Sequence, residues 1–124
     1  MQIKILHTQK SERISEFCQI ILDHTLHAWG DMRYWCINHQ DNTSNRREIL
    51  CAVLAYDDLI PVGSLIYVSD VSWNNYNVGT FVREDYRRRG IGRSLMKRIE
   101  GLNPKPWTES YLARHFYCSI GVAA

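Results

Sequence analysis

The chain has 124 residues, enough to bury one hydrophobic core and too few for two, so residues 1–124 read as a single domain. Apolar residues make up 45% and charged residues 23%, the balance of a soluble globular protein. A formal net charge of +2 argues against a polycation that coats nucleic acid or an anionic membrane, so any basic effect has to be local.

The N-terminal "MQIKILHTQK" lacks the long apolar stretch and cleavage site of a secretory signal, and no run reaches the roughly 20 apolar residues of a membrane helix; both predict a cytoplasmic protein. "QIKIL" alternates and reads as an opening strand. From Ser11, taken as the N-cap, Ile14, Phe17, Cys18, Ile21 and Leu22 recur on one helix face. "LHAWGDMRYWCINHQ" predicts a second short helix or helix-loop interrupted by Gly30, and "DNTSNRR" is a loop by composition. "EILCAVLAY" and "PVGSLIYVSD", joined by "DDLI", read as an antiparallel hairpin, and "YNVGTFV" adds a third strand after the turn "SWNN".

Next comes "VREDYRRRGIGRSLMKRIE". Ile91, Leu95, Ile99 and Leu102 line one helical stripe, with Arg93 and Lys97 on another face, and "NPKP" is expected to stop the helix. A short extended piece near Trp107 leads to a last helix carrying Leu112, Ala113, Phe116, Tyr117 and Ile120. The order β-α-α-β-β-β-α-(β)-α predicts an α/β (α+β) domain with a mainly antiparallel sheet. Cys18, Cys36, Cys51 and Cys118 show no C-x-x-C pair and are expected to be buried free thiols, not disulfides or zinc ligands.

The arginine-glycine stretch carries the chemistry. A strand that ends near Val82, turns, and opens a helix at "RRRGIG" gathers free backbone N–H groups and the positive end of the helix dipole at one place. Phosphate docks readily at such a place, and Gly90 and Gly92 let it approach the main chain. A Rossmann loop would need a third glycine where Leu95 stands, and the G-x-x-x-x-G-K-[ST] of a P-loop is absent.

"VREDYRRRGIGRSLM" resembles motif A of the GNAT acyl-CoA N-acyltransferase superfamily, with Arg87, Gly90 and Gly92 at its defining positions. "SYLARHFYCSIGV" is similar to the last-helix pattern of that family through Ala113, Phe116, Tyr117, Gly121 and Val122, with Ser110 where Asn is usual. The resemblance covers nearly the whole chain and implies a GNAT-like mixed sheet flanked by helices. It also implies acetyl-CoA as cosubstrate and transfer of an acetyl group to an amine-bearing acceptor. Pyrophosphate contact would fall to Arg87, Arg88, Arg89, Gly90, Ile91, Gly92 and Arg93, and pantetheine contact to Phe81 and Val82, with Ser110 counted among the cofactor-binding positions. Tyr117 would act as general acid toward the thiolate, and Asp70 is a candidate base.

His27 and Asp31 fall in the segment that borders the acceptor site in that family, and Glu84 and Asp85 are expected to be solvated. Trp29, Trp35 and Trp73 are expected either to line a pocket or to complete the core. The family pattern usually continues into two further strands, so the sheet is expected to be C-terminally truncated, with a second copy or another protein covering the edge. The alternative reading is a non-catalytic GNAT-like module that binds CoA or a protein. A nucleic-acid-binding domain using Arg87, Arg88, Arg89, Arg93, Lys97 and Arg98 is disfavoured, because no aromatics interleave with the arginines.

Overall fold

A computed structural model describes residues 2–28, 30–41, 47–70 and 75–102. Strand β1 (Ile3–Thr8) leads to helices α1 (Ser11–His24) and α2 (Asp31–Asp41). Strands β2 (Arg47–Asp57), β3 (Ile60–Asp70) and β4 (Asn75–Val82) follow, then a 3₁₀ turn (Glu84–Tyr86), helix α3 (Ile91–Lys97) and a second 3₁₀ turn (Glu100–Leu102). The strands form one antiparallel sheet in the order β1-β2-β3-β4. This is the element order expected from the hydrophobic periods. The predicted strand near Trp107 and the last helix lie outside the described residues.

Two expectations need correction. Lys10, not Ser11, is the N-cap of α1, and no side chain caps that end: the chain is still extended at Lys10, and its carbonyl already accepts from Arg13 and Ile14. Helix α3 ends at Lys97, well before "NPKP". There the bonds tighten to the i to i+3 spacing, with Arg98 N–H donating to Leu95 O and Ile99 N–H to Met96 O, both at 3.1 Å.

Two apolar layers sandwich the sheet. On one face Ile14, Phe17, Cys18 and Ile21 of α1 and Met32, Trp35 and Cys36 of α2 pack on Ala52, Leu54, Ile66 and Val68. On the other, Ile91, Leu95, Met96 and Ile99 pack on Cys51, Val53, Ala55, Leu65, Tyr67 and Val78. Strand side chains alternate between faces, so a run such as "CAVLA" feeds both layers at once.

The alternation breaks where the pairing slips. Ile49 joins the α1/α2 layer, but Leu50 and Cys51 both join the α3 layer, at the register shift between Ile49 and Cys51. A second shift pairs Ala55 with Gly63 and Tyr56 with Pro61, leaving Val62 as the extra residue. Such bulges bend a strand and increase its twist. Val62 O still accepts from Arg83 N–H at 2.9 Å, which ties the end of β4 to the sheet.

Candidate active site

The arginine-glycine turn lies where β4 gives way to α3. Phe81 and Val82 end β4, paired with Ser64 and Gly63 of β3. After Val82 the chain curls through the 3₁₀ turn, with Tyr86 N–H donating to Arg83 O and Arg87 N–H to Glu84 O. Arg87 Nε donates to Val82 O at 2.9 Å, so the arginine at the defining motif position braces the turn against the strand it leaves.

Gly90 is the N-cap of α3 with φ +82°, a left-handed conformation that costs a side-chain-bearing residue about 1 kcal/mol or more. Among the described residues nothing lies within 4 Å of where its Cβ would be, so they leave the space above the turn open. Ser94 N–H is the first to close back into the helix, on Gly90 O at 3.0 Å, and the N–H groups of Ile91, Gly92 and Arg93 precede it. Arg87, Arg88, Arg89 and Arg93 are exposed around this end, whereas Ile91 and Gly92 are buried against the sheet. The turn thus suits a pyrophosphate chemically: open backbone donors in the middle and exposed positive charge around them. Glu84 and Asp85 are exposed, as expected.

Two features of the turn escaped the sequence reading. Arg88 takes φ +65°, so a non-glycine residue as well as Gly90 is left-handed. Tyr86 is also more than a motif aromatic. Its hydroxyl donates to Asp57 Oδ2 at 2.7 Å, at the tip of the β2–β3 hairpin, and this bond, with burial second, raises the phenol above its usual range. The guanidinium carbon of Arg89 stands 5.3 Å above the Tyr86 ring, and that of Arg83 at 6.0 Å. Helix α3 is seated by Gly63, where a Cβ would come within 3.2 Å of Ile91 Cγ2.

On the opposite face of the sheet, β4 meets α1 and α2. His24, in the last turn of α1, makes an edge contact with Phe81, ring centroids 5.5 Å apart. Arg33 of α2 fixes this end of α1 by donating to Leu22 O at 2.6 Å and to Thr25 Oγ1 at 3.1 Å, while Thr25 Oγ1 donates to Ile21 O. Burial first, and the charge of Arg83 second, lower the His24 imidazole to about 4.

Trp35 is 5% exposed and belongs to the core, and its ring edge rests on Gly79, where a Cβ would come within 3.1 Å of Trp35 Cζ3. His27 is exposed. Asp70 and Asp31 are placed by backbone alone, at the end of β3 and the start of α2. Tyr117, Ser110, Trp29, Trp73 and Cys118 lie outside the described residues. Cys18, Cys36 and Cys51 are buried free thiols, and burial pushes Cys51 up to about 11. Among the described residues no cluster of His, Cys, Asp and Glu could hold a metal, and no helix is long and apolar enough to cross a membrane.

Solved structures share this architecture. A complex of the aminoglycoside acetyltransferase AAC(6')-Iy with a bisubstrate analogue, CoA-S-monomethyl-acetylneamine, aligns with a TM-score of 0.60 at 13% identity, covering 100% of this chain and 92% of that one. A GNAT-family acetyltransferase from Streptococcus pneumoniae TIGR4 aligns with a TM-score of 0.59 at 23% identity, covering 97% and 86%. A ribosomal-protein-alanine N-acetyltransferase from Brucella melitensis biovar Abortus 2308 aligns with a TM-score of 0.54 at 18% identity, covering 99% and 93%. At such identities the likeness establishes the fold. No curated protein sequence matches the chain. The model of the acetyltransferase (GNAT) domain matches residues 47–122, from the first residue of β2 through both motifs read from the sequence. The chain belongs to the GNAT acetyltransferase family, whose members take acetyl-CoA as cosubstrate.

Proposed function

We propose that this protein transfers the acetyl group of acetyl-CoA to a primary amine by direct attack. The observation that carries this reading is the open turn at Gly90, with its unclosed helix N–H groups and four exposed arginines, at the end of the strand that would guide the pantetheine. Arg87, Arg88, Arg89, Gly90, Ile91, Gly92 and Arg93 would hold the pyrophosphate, while Phe81 and Val82 would run beside the pantetheine. The neutral amine attacks the thioester carbonyl, a C–N bond forms as the C–S bond breaks, and the amine loses a proton. Tyr117 would return a proton to the departing thiolate, and Asp70, at the end of β3, would receive the proton of the amine directly or through water. Acceptors as different as an aminoglycoside derivative and a ribosomal protein occur among the similar structures, so the fold alone does not choose between small molecule and protein.

Calorimetric titration with acetyl-CoA tests the cosubstrate site. Saturable binding is expected for the wild-type chain and for Tyr117→Phe, and none for Gly90→Glu, which puts a carboxylate and a strained side chain where the pyrophosphate would lie. Turnover should then fall in Tyr117→Phe with acetyl-CoA affinity retained. Equal binding by Gly90→Glu would remove the turn from the site.

A further inference from the structure

The turn before α3 holds a strained residue that its own residue type does not explain. Arg88 takes φ +65° and Gly90 φ +82°, so Arg89 stands between two left-handed residues. Glycine adopts that conformation without penalty, whereas arginine keeps it only where its surroundings over-determine it. Two contacts flank Arg88. On one side Arg87 Nε donates to Val82 O at 2.9 Å. On the other, the guanidinium carbon of Arg89 stands 5.3 Å from the centroid of the Tyr86 ring.

Tyr86 is itself anchored. It is half-buried and packs against the α3 layer, and its hydroxyl donates to Asp57 Oδ2 at 2.7 Å, 29 positions back in the chain. A phenol that donates to a carboxylate carries more negative charge on its ring, so the bond that fixes the ring also strengthens its hold on a cation. Arg83 meets the same ring at 6.0 Å, but its Nε lies 3.6 Å from Asp85 Oδ1. Arg89 differs in place, because it directly precedes Gly90, on which the cosubstrate reading centres. A guanidinium held over an aromatic face still offers N–H donors at its edge, in a fork that matches phosphate.

We propose that Tyr86 is a positioning residue for the cosubstrate: pinned by Asp57, its ring holds Arg89 in place for a phosphate of acetyl-CoA and keeps Arg88 left-handed. This rests on the acetyl-transfer reading and adds to it the residue that sets an arginine of the turn in place. Asp57 acts only through Tyr86. Arg93, in the first turn of α3, is carried by the helix backbone and does not depend on the ring.

Calorimetric titration of the whole chain with coenzyme A tests the coupling. Tyr86→Leu, which removes both ring and hydroxyl, should raise Kd roughly five- to tenfold, and Tyr86→Phe, which keeps the ring, only a few-fold. Added to Arg89→Met, Tyr86→Leu should cost little more, because the cation it places is already gone. Added to Arg93→Met, it should cost its full factor. In the proton spectrum of the wild-type chain the Arg89 side-chain protons should lie upfield of their ordinary positions, shifted by the ring, and should return to them in Tyr86→Leu. Coenzyme A should move the Arg89 Nε–H resonance and leave the upfield shift in place.

Additive losses for Tyr86→Leu and Arg89→Met, or Arg89 protons with no upfield shift in the wild-type chain, would overturn the proposal and make Tyr86 structural. The spectrum needs no variant, so it decides the matter even where Tyr86→Leu does not fold. Gly90→Glu separates the two levels. If it binds coenzyme A as the wild type does, the turn is not the cosubstrate site and both readings fall; if it does not bind and the losses at Tyr86 and Arg89 add, the acetyl-transfer reading stands and only the role of Tyr86 falls.

Discussion

His24 shows how the burial of one ring can couple stability to pH. Its imidazole titrates near 4 in the folded chain against 6.5 for the ordinary value, so between those limits the unfolded state holds a proton that the folded state does not. Stability therefore rises with pH across that window and is lost as pH falls from about 6.5 toward 4. The ring is only half-buried, which reduces the effect to on the order of 2 kcal/mol. His39, also lowered by burial, acts in the same direction, so the profile of the wild-type chain alone cannot assign the effect. Urea unfolding of His24→Phe between pH 4 and 7 can: its acid limb should be flatter than that of the parent by about this amount. Parallel profiles would mean that the ring is solvated in solution. Nothing in the sequence marks His24, because a histidine in the last turn of a helix is ordinarily a solvated partner of the helix dipole. Its burial depends on Phe81, 57 positions away in the chain.

The turn between β4 and α3 depends on what grips it from outside. The spacing of Arg87, Gly90 and Gly92 was legible because a positive φ and an open helix end require specific residue types. The hydrogen bond from Tyr86 to Asp57 was not, because it joins residues of two elements brought together only by the sheet. The same limit explains α3: its apolar stripe is visible in the sequence, but the tightening after Lys97 depends on local hydrogen bonding that periodicity does not encode. Bulges such as the one at Leu50 are likewise hidden, since a slip of register leaves composition unchanged. The Tyr86 link predicts a split in kinetics. Tyr86→Phe keeps the ring under Arg89 and removes only the bond to Asp57, so KM for acetyl-CoA should rise a few-fold while kcat is retained. Asp57→Asn should be milder, because an amide oxygen still accepts. A fall in kcat with KM unchanged would place Tyr86 in the chemistry and not in the support of the turn.

The described chain has two apolar layers divided by one sheet, one packed under α1 and α2 and the other under α3. Whether they unfold together is a property of the whole molecule. Leu95 is fully buried in the α3 layer, and truncating such a residue to alanine costs about 2–5 kcal/mol. A ligand that binds only the folded state returns RT ln(1 + [L]/Kd), about 2.7 kcal/mol at one hundred times Kd. If the domain is one cooperative unit, Leu95→Ala should lower the urea midpoint with an unchanged m-value, and saturating acetyl-CoA should restore much of the loss. Trp fluorescence and far-UV circular dichroism should report the same transition, although Trp35 lies on the far layer from Leu95. Separate midpoints for the two probes would show that the domain does not unfold as one cooperative unit. The continuous β2–β3–β4 ladder, which contributes side chains to both layers along every strand, favours the single transition.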